Sequence, residues 1–423
     1  FIKEEFNISN NKNNQTQLWK LLLVLSIPFI TMMISHNGFL ALLPFVRNEF
    51  VLSRTEVGYY STFFFLSSAI LAVFTGSFVD KLGSRKGLLL GLSILGFMNL
   101  LYGMSSNYSM LLFLALLAGL GQSIIAPSIN KGVVMETPIE KRAISMGLTQ
   151  SGVGIGGLIG AALLPFFGEM IGWRSTIQLT AVFVLFMGAV VYSLYRPRLR
   201  ISGCINKEIN TEQKELSLKD NLQLFLSDKQ FLVLCFFGII MSGISMGAIL
   251  THYTVFLSED LLMSRAAAGF GLGVFQIGSV IGCPMWGWIS DRLLMGDRRK
   301  SLFLVGMLAG LIFIMPGLLI NNPTVSIIKV YGISLILGLT AFGWSGVFFV
   351  ALGELVGPDR TGAATGVAFL FLRCGVLIIP PIFGFLADMK GDYSYGWYTF
   401  GIVIMMISLI YFFSSADKRT AVE

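Results

Sequence analysis

The sequence predicts an all-α membrane protein of twelve transmembrane helices, arranged as two pseudo-symmetric six-helix bundles. Three observations lead there. The 423 residues are 55% hydrophobic and 13% charged, with a mean hydropathy of +0.77, too apolar for a soluble globule. The apolar residues gather into twelve runs of about 20, the length that crosses a ~30 Å hydrocarbon core. A short charged turn between the second and third runs recurs 211 positions later, between the eighth and ninth.

Taken in order, Phe1 to Gln17 is polar and Asn-rich and carries no signal-peptide pattern, so the first apolar run is expected to be a retained helix. The first six runs lie at 21–46, 57–79, 87–105, 110–134, 144–169 and 175–195. The second six lie at 230–256, 266–290, 301–321, 326–353, 362–388 and 397–416. The expected organisation is therefore a tail (1–20), a six-helix bundle (21–195), a polar linker (196–229), a second bundle (230–416) and a short tail (417–423). Within the linker, Leu216 to Leu226 reads either as a short amphipathic helix on the membrane surface or as an ordinary loop. Gly152, Gly154, Gly156, Gly157 and Gly160 in the fifth run would let a neighbouring helix approach closely.

The recurring turn is Gly76-Ser77-Phe78-Val79-Asp80-Lys81-Leu82-Gly83-Ser84-Arg85-Lys86. Its repeat places Gly287 on Gly76, Asp291 on Asp80 and Arg292 on Lys81, followed by Arg298, Arg299 and Lys300. The same offset carries Ser53-Arg54 onto Ser264-Arg265 and Gly58 onto Gly269, so the register holds across a whole helix and indicates an internal duplication. The turn resembles the signature of the major facilitator superfamily, Gly-x-x-x-Asp-(Arg/Lys)-x-Gly-x-(Arg/Lys)-(Arg/Lys), found after the second helix and again after the eighth. The second copy departs from it at Met295-Gly296-Asp297, where the compact glycine step would stand. The resemblance implies a secondary transporter working by alternating access, with the first, fourth, seventh and tenth helices lining a central cavity. The arginine that many members carry in the fourth helix is absent here. So is the eighth-helix arginine of several carboxylate-handling members, where Gln276 is the comparable polar group.

Basic residues orient the chain. With the N-terminus inside, 23 of the 30 Lys and Arg fall on the inner side and six (Arg47, Arg54, Arg174, Arg265, Lys329, Lys390) on the outer. Both termini are expected to be cytoplasmic, in a plasma or inner membrane. The net charge of +7 then reads as a topology signal and a contact with anionic lipid, not as nucleic-acid binding.

The remaining basic residue is Arg373, about 11 residues into the eleventh run and hence near mid-membrane. Every Asp and Glu falls in a loop, a tail or at a helix end, the nearest to ambiguous being Glu169, Glu354 and Asp388. Arg373 reads either as an anchor for an anionic substrate, its guanidinium forking onto a carboxylate, or as an arginine bonded to carbonyls freed near Pro380-Pro381. The resemblance adds His36-Asn37 and His252-Tyr253 as cavity residues, with Gln122, Gln150, Gln276 and Trp344 as further candidates. Each of these has helix-to-helix hydrogen bonding as its alternative, and a histidine there is suited to carrying a coupling proton. In the signature loops Asp80 is expected to accept from a helix N-terminus of its own half, with Arg85 and Lys86 meeting acids across the interface and breaking as the halves rock. No catalytic constellation, phosphate loop or metal-ligand spacing occurs, so no enzyme, cofactor or metal is expected. The expected function is transport of a small organic anion, a carboxylate, by a monomer. Efflux of amphipathic compounds is the alternative, and a non-transporting receptor on the same fold a third.

Overall fold

The computed structural model describes residues 2–137, 142–197, 225–320, 326–357 and 360–414. All but the last two residues of the Leu216–Leu226 stretch, Cys204 and the tail 417–423 lie outside them. Among the described residues, twelve helices of membrane-crossing length follow one another. The first six are α1 (Ile2–Phe50), α2 (Arg54–Leu82), α3 (Ser84–Tyr102), α4 (Tyr108–Glu136), α5 (Arg142–Ile171) and α6 (Trp173–Leu194). The second six are α7 (Lys229–Glu259), α8 (Arg265–Leu293), α9 (Arg298–Leu319), α10 (Ile327–Val356), α11 (Thr361–Lys390) and α12 (Ser394–Ser414). Three of them are irregular. α7 passes through a π-helical stretch at Gly243–Ile249, α8 ends in another at Ile289–Leu293, and α10 breaks between Ala341 and Trp344. The first helix also starts far ahead of its apolar run, at Ile2 instead of near residue 21.

Local chemistry starts and stops these helices. Ser53 opens α2 with a full capping box, its hydroxyl accepting from Glu56 N while the Glu56 carboxylate accepts from Ser53 N, and Ser264 accepts from Ala267 N at the start of α8. Asn107, Asp228 and Asp297 cap α4, α7 and α9 in the same way, each such cap being worth about 1 kcal/mol. Between α2 and α3 the chain turns at Gly83 with φ +83°, a conformation open to glycine and strained for other residues.

The two halves pack alike. In the first, α1 lies on α5, α3 on α4 and α6, and α2 on α4; in the second, α7 lies on α11, α9 on α10 and α12, and α8 on α10. The glycine stripe of α5 serves the first pairing. Added side chains at Gly152, Gly156 and Gly160 would meet the carbonyls of Ser26, Ile30 and Ile34, one turn of α1 apiece. The repeat extends to the backbone, where Val51 and Leu262, 211 positions apart, both take positive φ (52° and 54°) in the turns before α2 and α8.

The halves meet through α2 with α11, α5 with α8, and α1 with α7. Gly58 of α2 lies so close to α11 that a Cβ would stand 2.6 Å from Pro381 N, and its cognate Gly269 of α8 presses on Ala161 and Pro165 of α5. At the end of the bundle away from the signature loops this interface is closed by polar contacts. Asp388, near the end of α11, accepts from Arg54 N and Thr55 N (2.8 Å each) and from Thr55 Oγ1 (2.5 Å) at the start of α2. The Arg54 guanidinium pairs with Asp260 (3.1 Å) and Glu259 (3.5 Å), and Arg47 pairs with Glu259. Glu169, near the end of α5, accepts from Ala266 N (2.8 Å) at the start of α8. Burial raises the Asp260 carboxyl above its ordinary value, against the opposing pull of the Tyr393 N–H and Arg54.

The signature end differs. Asp80 is expected to cap a helix but instead pairs with Lys131 of α4 (3.0 Å), within its own half. Arg85 and Lys86 are expected to meet acids across the interface. Arg85 instead donates to the Tyr192 carbonyl (2.8 Å) and lies over the Tyr192 ring, in the same half, while Lys86 is exposed. In the second copy Asp291 and Glu354 both pair with Arg298 (2.5 and 3.0 Å), again inside one half. Among the described residues no ion pair joins the halves at this end. Gly76 lies within α2, Arg292 is exposed, and Gly287 has open space where a side chain would stand.

Candidate substrate site

Six of the nine expected site residues stand within about 5 Å of the middle of their helices at 1.5 Å per residue, α1 being measured over its apolar stretch Trp19–Phe50: His36 and Asn37 on α1, Gln122 on α4, Gln276 on α8, Trp344 on α10 and Arg373 on α11. Four of them converge. Arg373 lies with its guanidinium carbon 5.1 Å from the centre of the Phe65 ring, and His36 meets the same ring edge-on at 5.3 Å while stacking on Phe64 at 4.2 Å. Asn37 and Gln276 both press on the α5 backbone at Gly157, Gln276 Nε2 lying 2.6 Å from where a Cβ would be. A side chain at that position would have to displace two amides that come from opposite halves.

The electrostatics of this cluster are unusual. Arg373 lies deep in the protein yet keeps part of its surface accessible. Among the described residues it has no ion pair and no hydrogen bond; the Phe65 ring offers a cation–π contact of about 0.5–2 kcal/mol but no countercharge. Two carbonyls near Pro380-Pro381 have partners of their own. Pro381 lacks the N–H that would bond the Leu377 carbonyl, and Thr62 Oγ1 of α2 donates to it instead (2.7 Å). The Pro380 carbonyl pairs with His252 Nε2 (2.9 Å).

At the depth of Arg373, several buried polar atoms have no hydrogen-bond partner among the described residues. They are both ring nitrogens of His36, Asn37 Oδ1, Gln122 Oε1 and Trp344 Nε1. The four side chains are between 2% and 8% exposed, and each unpaired polar atom so buried costs about 1–3 kcal/mol.

Gln122 and Trp344 share only the depth of this cluster, Trp344 packing edge-on against Phe237 and Phe348 within the second half, and the remaining three residues lie away from it. His252 and Tyr253 lie some 12–14 Å from the middle of α7 toward the closed end. Both nitrogens of His252 are engaged, Nδ1 with Tyr393 Oη (3.1 Å) and Nε2 with Pro380, and the Tyr253 hydroxyl is paired with Ser334 Oγ (2.7 Å). They are the polar packing of the second half. Gln150 sits about 10 Å toward the signature end of α5 and is exposed. The aromatic floor of Phe64 and Phe65 is not singled out by the sequence, because both fall in an unbroken apolar run that reads as lipid-facing or core filler.

Comparison with known proteins settles the lineage. The family profile described as Major Facilitator Superfamily matches residues 25–373 and 235–422, which together span most of the chain. The chain belongs to the Major Facilitator Superfamily. It is a multi-pass membrane transporter of that superfamily and not an enzyme. Among superfamily relatives, it is 22% identical over 390 residues to the D-galactonate transporter of Escherichia coli O6:H1, covering 86% of this chain and 87% of that one. It is 26% identical over 369 residues to monocarboxylate transporter 12 of Xenopus laevis, covering 81% and 77%. Among solved superfamily structures, a bacterial homologue of the human lysosomal transporter Spinster, in its inward-facing and unoccupied conformation, superposes with a TM-score of 0.76 at 14% identity, over 94% of this chain and 97% of that one.

Proposed function

We propose that the protein moves a small organic anion, a carboxylate, across the cytoplasmic membrane by rocker-switch alternating access. Arg373 carries the reading: a permanent cation at mid-membrane, between the halves, with no ion pair or hydrogen bond among the described residues. The substrate carboxylate supplies the missing partner through a forked pair of charge-assisted hydrogen bonds. His36, Asn37, Gln122, Gln276 and Trp344 surround the rest of the molecule. The similarity to galactonate and monocarboxylate transporters supports the anionic class. Efflux of cationic amphiphiles gains nothing from such a site, since a lone guanidinium repels them.

In this reading residues 21–195 and 230–416 are the two rocking bundles, and both tails and the 196–229 linker are cytoplasmic, as the basic residues direct. The polar contacts among Arg54, Asp388, Asp260 and Glu169 then close the outer side, and the signature loops face the cytoplasm with their charges paired inside each half. The monomer is the working unit. The proton is the candidate coupling ion, with His36 its nearest titratable carrier to Arg373.

The test is uptake of radiolabelled carboxylates into proteoliposomes, with Arg373→Ala and Arg373→Lys beside the parent. Arg373→Ala should lower uptake about 100-fold or more, as truncating one member of a buried charge pair costs several kcal/mol, and Arg373→Lys should retain a fraction of it. Unchanged uptake by Arg373→Ala would sink the proposal.

A further inference from the structure

We infer that the substrate is a hydroxylated monocarboxylate: a small molecule with a single carboxylate and several hydroxyl groups. The inference rests on the reading of Arg373 as the anchor and extends it to the rest of the site by two counts.

The first is a count of charges. Among the described residues, Arg373 alone of the Lys and Arg lies at mid-depth in a membrane-crossing stretch. Lys131, the next deepest on a cavity-lining helix, is about 13 Å from Gln122 along α4 and is held by Asp80. A second carboxylate on the substrate would therefore enter a region of low dielectric with no countercharge, which opposes binding of dianions.

The second is a count of donors and acceptors. Asn37 and Gln122 each keep a buried amide oxygen without a donor, and an amide oxygen accepts only. A carboxylate also accepts only, so it cannot satisfy them, and neither can an alkyl chain. A hydroxyl can. His36 has both ring nitrogens free, so in either neutral tautomer it offers one donor and one acceptor, which suits a hydroxyl on each side. Trp344 Nε1 is a donor awaiting an oxygen. Three unpartnered atoms on His36 and Asn37 beside Arg373, with those of Gln122 and Trp344 at the same depth, thus describe the polar outline of a polyhydroxylated chain extending from its carboxylate. A site built to pair hydroxyls rejects analogues that lack them strongly, because its own polar groups are then left unpaired.

The experiment measures binding of four six-carbon probes to the purified full chain in nanodiscs, by calorimetry and thermal stabilisation. The probes are D-gluconate, hexanoate, the dianion D-glucarate and neutral D-glucose. The expected order places D-gluconate first, with hexanoate and D-glucarate each weaker by about 100-fold and D-glucose not binding. The parent protein alone decides the matter, so no variant need fold. Hexanoate binding as tightly as D-gluconate would show that water fills the polar positions and would overturn this inference while leaving the anion reading standing. D-glucarate binding as tightly would overturn the charge count. D-glucose binding as tightly, or none of the four binding, would overturn the anion reading and this inference with it. As a second readout, Gln122→Met and Asn37→Leu should narrow the preference for D-gluconate over hexanoate by about tenfold each; an unaltered preference in both would also overturn the inference.

Discussion

The α2–α11 and α5–α8 interfaces are cognates under the 211-residue repeat, yet they hold the halves together unequally. Both use one device, a carboxylate near the end of one helix meeting the backbone N–H groups at the start of a helix in the other half. At α2–α11 the device is elaborated. Asp388 takes two backbone N–H groups and the Thr55 hydroxyl, and Arg54 beside it holds the acidic pair at the end of α7. At α5–α8 exposed Glu169 takes a single N–H, and Arg265, cognate to Arg54, rests on the Phe45 ring instead of on an acid. Duplication supplied the geometry twice, and later divergence of single residues concentrated the strength on one side. The same split separates the ends of the molecule, with cross-half pairs where the bundle is closed and pairs internal to each half at the signature loops.

The largest expected effect follows from removing the stronger cap. Asp388→Ala should shift the closed-to-open ratio at this end by about 30-fold, from roughly 2 kcal/mol of lost hydrogen bonds. Spin labels at the exposed positions Val51→Cys and Leu262→Cys (87% and 86% exposed), one on each half, would report it as a new long-distance population. Glu169→Gln should give a shift of about fivefold in the same measurement, from roughly 1 kcal/mol. An equal response to the two substitutions would erase the inequality argued above. The smallest change is expected at the signature loop, where Asp80 is largely exposed and its bond to Lys131 is worth at most about 1 kcal/mol. Asp80→Asn should therefore move the label distance by less than either cap variant while leaving substrate affinity intact; a larger shift would place the controlling contacts at the signature end.

Much of this was legible in the chain. Apolar runs give the helices because hydrocarbon enforces both their length and their composition, and the repeat is visible because Gly58 and Gly269 must each meet a partner helix at close range. Arg373 stands out for the same reason, a lone charge in a run that otherwise excludes it. What the sequence hides is pairing across long separations. Nothing local distinguishes the satisfied His252, whose partners are Tyr393 and Pro380, from the unsatisfied His36. Glu169 and Asp388 are visible only as acids near helix ends; that each meets a backbone start in the other half is a matter of how the bundles are set against one another.

The bond from Thr62 to the Leu377 carbonyl sets a condition on the whole transport cycle. That carbonyl has lost its own helical donor to Pro381, and its replacement comes from the opposite half. When α2 and α11 part, no lipid tail can take over, and a bare carbonyl in hydrocarbon is too costly to persist. Hydration must therefore accompany opening, so the outward excursion is a wetting event, and osmotic stress that withdraws water should slow it.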